Sequence, residues 1–307
     1  MSGSRDVDTT AALLYAWHRH RAADSSHSVS VPTPVQSIRG KKALVTGAAS
    51  GIGRAIALAL AREGADLYLV DIDADKLGAA AREVQSLGAK VATGVCDLTQ
   101  PAQISATVAA LLSRWGALDI LVNNAGVTYY GPTHEMTAAQ WSAMLAVNLL
   151  APIQLTRELI PILCAQEEAH ILNVCSILGL VPMRKSAAYQ TSKYGLVGLS
   201  LALRGEYGRG QLGVTAFCPG FVRTAMIESF ATGSPTQRRP VVPGWACTTT
   251  DKVAERAVRA IRRNQGIVVM TTLAWVWWWG MRLFPGAIDW LMRQGWRGRK
   301  RIDVKPP

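Results

Sequence analysis

Cysteine is scarce and scattered in this chain of 307 residues. Cys96, Cys164, Cys175, Cys218 and Cys247 form no CxxC pair and no metal-ligand spacing. That argues against a disulfide framework or a zinc site and predicts buried thiols in a reducing compartment. Charge is modest at 18 %, against 49 % hydrophobic residues, and this apolar content excludes disorder as the overall state. Mean hydropathy is +0.15, well short of a polytopic membrane protein. No internal repeat or low-complexity tract is present. The apolar run near the start, Ala11 to Trp17, is too short and badly placed for a signal peptide. Asp6, Asp8 and Asp24 argue against a transit peptide.

Basic charge is what the chain does have, a net +12, and such a surplus points at nucleic acid or an anionic membrane. Its location narrows the choice. Residues 41–220 carry 14 basic and 13 acidic side chains, whereas residues 251–307 carry 12 and 4. The body is balanced, and the excess sits mainly in the C-terminal fifth. Six of the ten tryptophans lie there too, between Trp275 and Trp296. No recognised nucleic-acid-binding module is visible, and the basic residues are interleaved with tryptophan and aliphatics, so no nucleic-acid partner is expected.

Leu273 to Met292 is nominally long enough to cross a bilayer. Arg282, Pro285 and Asp289 argue against a spanning helix, and Pro285 predicts two short ones. Aromatic-rich and followed by the Arg297–Lys305 cluster, the segment 273–301 matches one lying at the lipid headgroup level. The competing reading is that its tryptophans cover a subunit interface or the substrate site.

Residues 1–38, which include Val31-Pro32-Thr33-Pro34, read as a mostly disordered extension. From Lys41 onward, short apolar runs alternate with helical stretches. Candidate strands are Ala43–Thr46, Asp66–Asp71, Lys90–Cys96, Asp119–Asn123, His170–Cys175, Gly213–Cys218 and Ile267–Met270. Continuous apolar strands separated by helices predict an α/β fold, a Rossmann-type doubly wound parallel sheet of about seven strands covered on both faces. The expected body is one domain over 39–270, with 271–307 as a C-terminal extension.

Thr46-Gly47-Ala48-Ala49-Ser50-Gly51-Ile52-Gly53 follows the first strand and opens a helix. Glycines there let the backbone approach a pyrophosphate, which the helix N-terminus attracts. The spacing is TGxxxGxG, and alone it is weak evidence. Asp71 ends the second strand, 18 residues after Gly53, where a carboxylate can bond an adenosine ribose and repel a 2′-phosphate. Ile72 and Ser50 offer no cation to offset that repulsion, so NAD is favoured over NADP. Asp73 and Asp75 read as helix-start residues.

Tyr189 and Lys193 are four apart in a helical stretch, hence one turn apart on one face. A nearby ammonium favours phenolate and lowers the tyrosine pKa. The same order of motifs continues with Asp97, then Asn123-Asn124-Ala125-Gly126, Asn148, Ser176 thirteen residues before Tyr189, and Pro219-Gly220 with Thr224 close behind. On these residues the chain resembles the short-chain dehydrogenase/reductase (SDR) family over roughly residues 39–270.

The resemblance implies roles. Tyr189 would be the general acid/base, with Lys193 lowering its pKa and binding nicotinamide ribose hydroxyls. Ser176 would hold the reacting oxygen, and Asn148 would support a water in the proton relay. Gly47, Ser50, Gly51, Ile52, Gly53, Asp71, Asp97, Leu98, Asn124, Ala125, Gly126, Tyr189, Lys193, Pro219, Gly220, Val222 and Thr224 would bind the cofactor, Asp97 at the adenine. Asn123 and Asn148 are read as functional rather than as residues that bridge strands or bend a helix. Ser192 reads as a local helix hydrogen-bonder, and His134 and His170 as surface or satisfied residues. No metal is expected.

Two departures from the family carry information. Thirty-seven residues follow Met270, and the lid region from Ala225 to Thr250 holds Pro235, Arg238, Arg239, Pro240 and Pro243. The expected activity is NAD(H)-dependent interconversion of a secondary alcohol and a ketone. The substrate would be lipophilic: steroid, retinoid-like or long-chain acyl. A soluble reductase of 3-oxoacyl thioesters or small ketones is the alternative, and an NAD-binding scaffold with little turnover is the non-enzyme one. A cytoplasmic homodimer or homotetramer with peripheral membrane contact is the expected state.

Overall fold

The apolar runs that end in Gly, Asp or Asn become strands whose C-terminal ends all point the same way. The computed structural model describes residues 35–208, 212–222, 231–232, 244 and 247–294. Seven strands form the main sheet: β1 (Lys42–Thr46), β2 (Asp66–Asp71), β3 (Val91–Val95), β4 (Ile120–Asn123), β5 (Ala169–Val174), β6 (Leu212–Cys218) and β7 (Ile267–Val269). All pair in parallel, in the order β7-β6-β5-β4-β1-β2-β3. The order reverses between β1 and β4. There the loops leaving the two strands diverge, which is where ligands bind in open α/β sheets.

The helices cover both faces. On one lie α1 (Gly51–Arg62), α2 (Ala74–Ser86) and α7 (Thr250–Arg262), whose Ile56, Leu60, Leu77, Val84, Val253 and Ile261 are buried in one core. On the other lie α3 (Pro101–Trp115), α5 (Ala151–Cys164) and α6 (Ala187–Tyr207), contributing Ile104, Leu111, Leu155, Leu159 and Leu203 to a second core. With two covered faces, β5 and β6 are buried at every position, which is why their sequences do not alternate. The edge strand β3 is more open, and Val95 is exposed.

Several sequence expectations need adjusting. Val35 and Ile38 are buried in the first core, so packed structure includes residues assigned to the extension. Cys96, Cys175 and Cys218 are buried thiols, but Cys164 is exposed and Cys247 half-buried. Helix α4 (Ala138–Leu145) runs through a π turn, Ala146–Leu150, into α5. The sequence pattern did not announce that turn.

Beyond β7 the chain forms α8 (Thr272–Leu283) and α9 (Pro285–Gln294), broken at Pro285 as expected. Thr271 caps α8, accepting the Ala274 N–H at 3.2 Å. Ala274, Trp277, Trp278 and Met281 lie at helical spacing and pack against Ile177, Leu178, Val181 and Met183. The C-terminal extension is thereby held against the segment that follows β5.

Candidate active site

A cleft of about 600 Å³ opens at the C-terminal ends of the strands. One end is built by the turn between β1 and α1. Gly47 and Gly51 have φ of +65° and +55°, a backbone shape that favours glycine. A Cβ on Gly53 would stand 2.1 Å from the Gly47 carbonyl oxygen and 2.3 Å from Asn124 Nδ2, so this glycine serves close packing of helix on turn. Ser50 holds the N-cap of α1 without a side-chain capping bond, and no acidic residue lies in the first turn. The first-turn N–H groups and the positive end of the helix dipole are left for an anionic ligand.

Hydrogen bonds fix this turn against its neighbours. The Asp71 carboxylate accepts the Ala49 N–H at 3.0 Å through one oxygen, and the Ile72 N–H at 2.8 Å through the other. Asn124 Nδ2 donates to the carbonyls of Thr46 and Gly47 at 2.9 and 3.2 Å. The Thr46 hydroxyl accepts the Asn124 and Ala125 N–H groups. Asp97 binds the N–H and hydroxyl of Thr99 at 2.9 and 2.8 Å. Asp73 caps α2, accepting the Lys76 N–H at 3.0 Å.

At the other end, α6 presents Tyr189 and Lys193 to the cleft. The Tyr189 phenol bonds the Ser176 hydroxyl, and Ser176 Oγ also accepts the Leu178 N–H at 3.1 Å. Burial pushes Tyr189 up to about 12, while the Ser176 hydrogen bond acts in the opposite direction. Lys193 is 3 % exposed. Its ammonium donates to the Val174 carbonyl at 2.9 Å and lies 5.8 Å from the Tyr189 ring centroid. Burial lowers its pKa. Burial is the largest influence on both groups, raising the phenol and lowering the ammonium, because each sits in the wall of a largely apolar cleft.

Asn148 lies behind the cleft wall, fully buried in the π turn. Its Oδ1 accepts the Val127 N–H at 2.8 Å, and its Nδ2 donates to the Val127 carbonyl at 2.9 Å and to Ser192 Oγ at 3.1 Å. Ser192 in turn donates to the Tyr189 carbonyl at 2.7 Å. Asn148 thus ties the loop after β4 to α6. Asn123 is corrected to a structural residue: its amide bridges β4 to β5 through Asn173 Oδ1 at 2.8 Å, and it stands away from the cleft. His170 is buried, with Nε2 2.8 Å from Thr215 Oγ1.

Gly47, Ser50, Gly51, Ile52, Asp71, Asp97, Leu98, Asn124, Ala125, Gly126, Ser176, Tyr189, Lys193, Pro219, Gly220 and Val222 all line this one cleft. Gly53 and Asn148 support it from behind. Thr224 lies outside the described residues, as do Pro235, Arg238, Arg239, Pro240 and Pro243 of the expected lid and the Arg297–Lys305 cluster. Ile177, Leu178 and Met183 were not singled out from the sequence, yet they line the cleft near Tyr189. Only the position of Ile177 and Leu178 directly after Ser176 could have pointed to them.

The donors at the turn, the ribose-type carboxylate and the tyrosine–lysine end fit a dinucleotide together with a carbonyl or hydroxyl compound. The fold and cleft are those of a nicotinamide dinucleotide oxidoreductase. The short chain dehydrogenase family model matches residues 41–234, and the chain belongs to that family. The 3-oxoacyl-acyl-carrier-protein reductase FabG of Thermotoga maritima is 35 % identical over 191 residues, 62 % of this chain and 78 % of that protein. A short chain dehydrogenase/reductase from Burkholderia phymatum, solved with NAD, superposes with a TM-score of 0.72 at 27 % identity, covering 88 % of this chain and 99 % of that one. A metagenomic short-chain oxidoreductase solved with NADP gives 0.64 at 33 % identity, covering 76 % and 97 %.

Proposed function

We propose that this oxidoreductase interconverts a lipophilic secondary alcohol and its ketone with NAD(H). The observation that carries the reading is the cluster of Tyr189, Ser176 and Lys193 at the apolar end of a cleft whose other end is Asp71. The nicotinamide cofactor, when bound, supplies the hydride acceptor or donor. Asp71, the turn Gly47–Gly53, Asp97, Asn124–Gly126 and Pro219–Val222 would hold it, with Thr224 added from the family pattern. Asp71 carries a negative charge where NADP would carry a phosphate, which supports NAD.

The chain's own part is the proton. Tyr189 takes it from the alcohol or returns it to the carbonyl oxygen, and Ser176 bonds that oxygen. Lys193 places a positive charge beside the phenol and binds ribose hydroxyls. Asn148 supports the relay by holding the loop after β4 against α6. Ile177, Leu178 and Met183 line the substrate end, and Trp277 and Trp278 of α8 belong to the same apolar cluster. Such a wall supports a steroid, retinoid-like or long-chain acyl substrate.

A cytoplasmic homodimer or homotetramer, touching a membrane peripherally through 273–301, is the state that goes with this reading. The likeness to FabG of Thermotoga maritima favours a second reading, reduction of 3-oxoacyl thioesters. The discriminating experiment follows NADH production over secondary alcohols of graded chain length and ring size, with 3-oxoacyl thioesters assayed in reverse. Rising kcat/KM with apolar size supports the first reading; thioester preference supports the second. Strong preference for NADP would overturn the cofactor assignment.

A further inference from the structure

Helix α8 is apolar nearly all the way round, but only one face is covered. Its inner stripe of Ala274, Trp277, Trp278 and Met281 packs on the segment after Ser176. On the other side Leu273, Trp275, Val276, Trp279 and Leu283 are exposed, and Phe284, Trp290 and Leu291 extend the patch along α9. An amphipathic surface helix shows polar residues on its free side, and a monomer seldom leaves a contiguous apolar patch of this kind without a use. Trp275, Trp278 and Trp279 stack among themselves, with neighbouring centroids 5.7 and 5.8 Å apart.

The charges beside the patch identify its occupant. Arg282 lies over Trp278 at 5.0 Å, and Arg293 on α9 pairs with the one acidic residue of the two helices, Asp289, at 2.8 Å. In sequence the chain continues with Arg297, Arg299, Lys300, Arg301 and Lys305 against a single Asp303. A basic surplus of this kind beside exposed tryptophan matches an anionic lipid surface, which attracts and neutralises it. Tryptophan and arginine together are the residues that settle at the headgroup level.

Crossing is excluded by length. Helices α8 and α9 have 12 and 10 residues, about 18 and 15 Å at 1.5 Å per residue, against about 30 Å of hydrocarbon. One helical run among the described residues, Ala138–Cys164, is long and apolar enough to cross. That run is α4, the π turn and α5, whose Leu155, Leu159 and Leu163 belong to the second core.

We infer that the outer face of α8 and α9 docks on an anionic membrane, lying in its surface plane. Because the inner face of α8 rests on the wall of the apolar cleft end, docking sets that end beside the lipid. The docking inference stands without the lipophilic-substrate reading, although that reading gains from it.

The test is co-sedimentation of the full chain with vesicles of phosphatidylcholine alone or mixed with phosphatidylglycerol, without any turnover measurement. The parent protein should pellet with the anionic vesicles and far less with the neutral ones. Trp275→Ser, Trp279→Ser and Trp290→Ser combined should abolish pelleting while circular dichroism and the melting midpoint stay near the parent's, since all three side chains are exposed. Should that variant not fold, Arg282→Gln with Arg293→Gln leaves the apolar face intact. That double variant should weaken binding to the anionic vesicles by about thirtyfold, at roughly fivefold per cation. Equal pelleting of the parent and either folded variant overturns the inference. So does a parent that ignores both vesicles. An oligomer that dissociates on the tryptophan substitutions, with no vesicle binding, would hand the face to a second copy.

Discussion

Asn148 grips Val127 at both ends of its peptide, accepting the N–H at 2.8 Å and donating to the carbonyl at 2.9 Å. The amide serves as a partner for the loop after β4 from a side chain that is itself fully buried. Asn148→Ala would orphan both groups, and a buried unpaired polar group costs about 1–3 kcal/mol. Urea unfolding should show a loss in that range, and turnover should fall with it because Ser192 and α6 lose their tie. An unchanged midpoint would mean that the two contacts contribute nothing to stability.

The Ser176 hydroxyl favours the deprotonated Tyr189 phenol and so counters the effect of burial on its titration. As base in alcohol oxidation, Tyr189 must be deprotonated, so kcat/KM for oxidation should rise with pH. Removing the hydroxyl in Ser176→Ala takes away a contact that lowers the tyrosine's pKa. The rising limb should therefore move to higher pH, with reduction holding its rate further into alkali. Tyr189→Phe should cost about 10²–10⁴-fold in turnover, the range for loss of a general acid/base. A limb that stays in place in Ser176→Ala would detach Ser176 from the proton transfer.

At Asp71 two functions share one carboxylate, since it accepts the Ala49 N–H at 3.0 Å as well as facing the cleft. Asp71→Asn keeps an oxygen for Ala49 but removes the charge, whereas Asp71→Ala removes both. Both should raise kcat/KM with NADP relative to NAD, by about tenfold or more if a charge-assisted bond to the ribose is lost. Only Asp71→Ala should also lower the melting midpoint. Equal discrimination in parent and Asp71→Asn would take cofactor choice away from this carboxylate.

Much of this arrangement was legible because it is local. Strand runs such as Ala43–Thr46 and Gly213–Cys218 are continuous and apolar since helices cover both faces. The pairing of Tyr189 with Lys193 follows from a spacing of four on α6, and Asp71 from its place at the end of β2. What escaped is set by contacts far apart in sequence or by solvent. Spacing cannot tell that Lys193 reaches the Val174 carbonyl, nor that burial is the largest influence on Tyr189. Asn123 looked functional beside Asn124, but its partner Asn173 lies on the next strand, 50 residues away. Trp277 and Trp278 share an apolar cluster with Ile177 and Leu178, some hundred residues earlier, a packing that local spacing does not encode.

Gly53 supplies a sharp steric test. A methyl there would meet the Gly47 carbonyl oxygen at 2.1 Å and Asn124 Nδ2 at 2.3 Å, and both belong to the turn backbone or its lock. Gly53→Ala must push α1 away from the turn or break the Asn124 bonds. Stability should drop by about 1–3 kcal/mol, the cost of overpacking, and affinity for NADH should fall too. Gly78→Ala, whose added methyl would meet nothing closer than Arg82 Nη1 at 3.7 Å, is the control and should gain slightly from the change in helix propensity. Similar behaviour of the two variants would mean that the turn tolerates the displacement.

His170 makes stability depend on pH well away from the cleft. The Thr215 hydroxyl donates to the Gln265 carbonyl at 2.5 Å, so it accepts from Nε2–H, and Nδ1 is left bare and without a partner. Burial first, and the Arg204 charge second, lower the imidazole from 6.5 to about 3. Between those values the unfolded chain binds a proton here that the folded chain refuses, so stability falls as pH falls through that window and is fully present above it. From pH 7 to pH 5 the loss is about 2 kcal/mol, the slope approaching 1.36 kcal/mol per unit below 6.5. His170→Gln keeps a donor for Thr215 and cannot titrate. Urea unfolding at pH 7 and pH 5 should therefore show the parent losing about 2 kcal/mol more than the variant on acidification. Parallel losses in the two proteins would mean that His170 is protonated inside the fold, with Nδ1–H bonded to water.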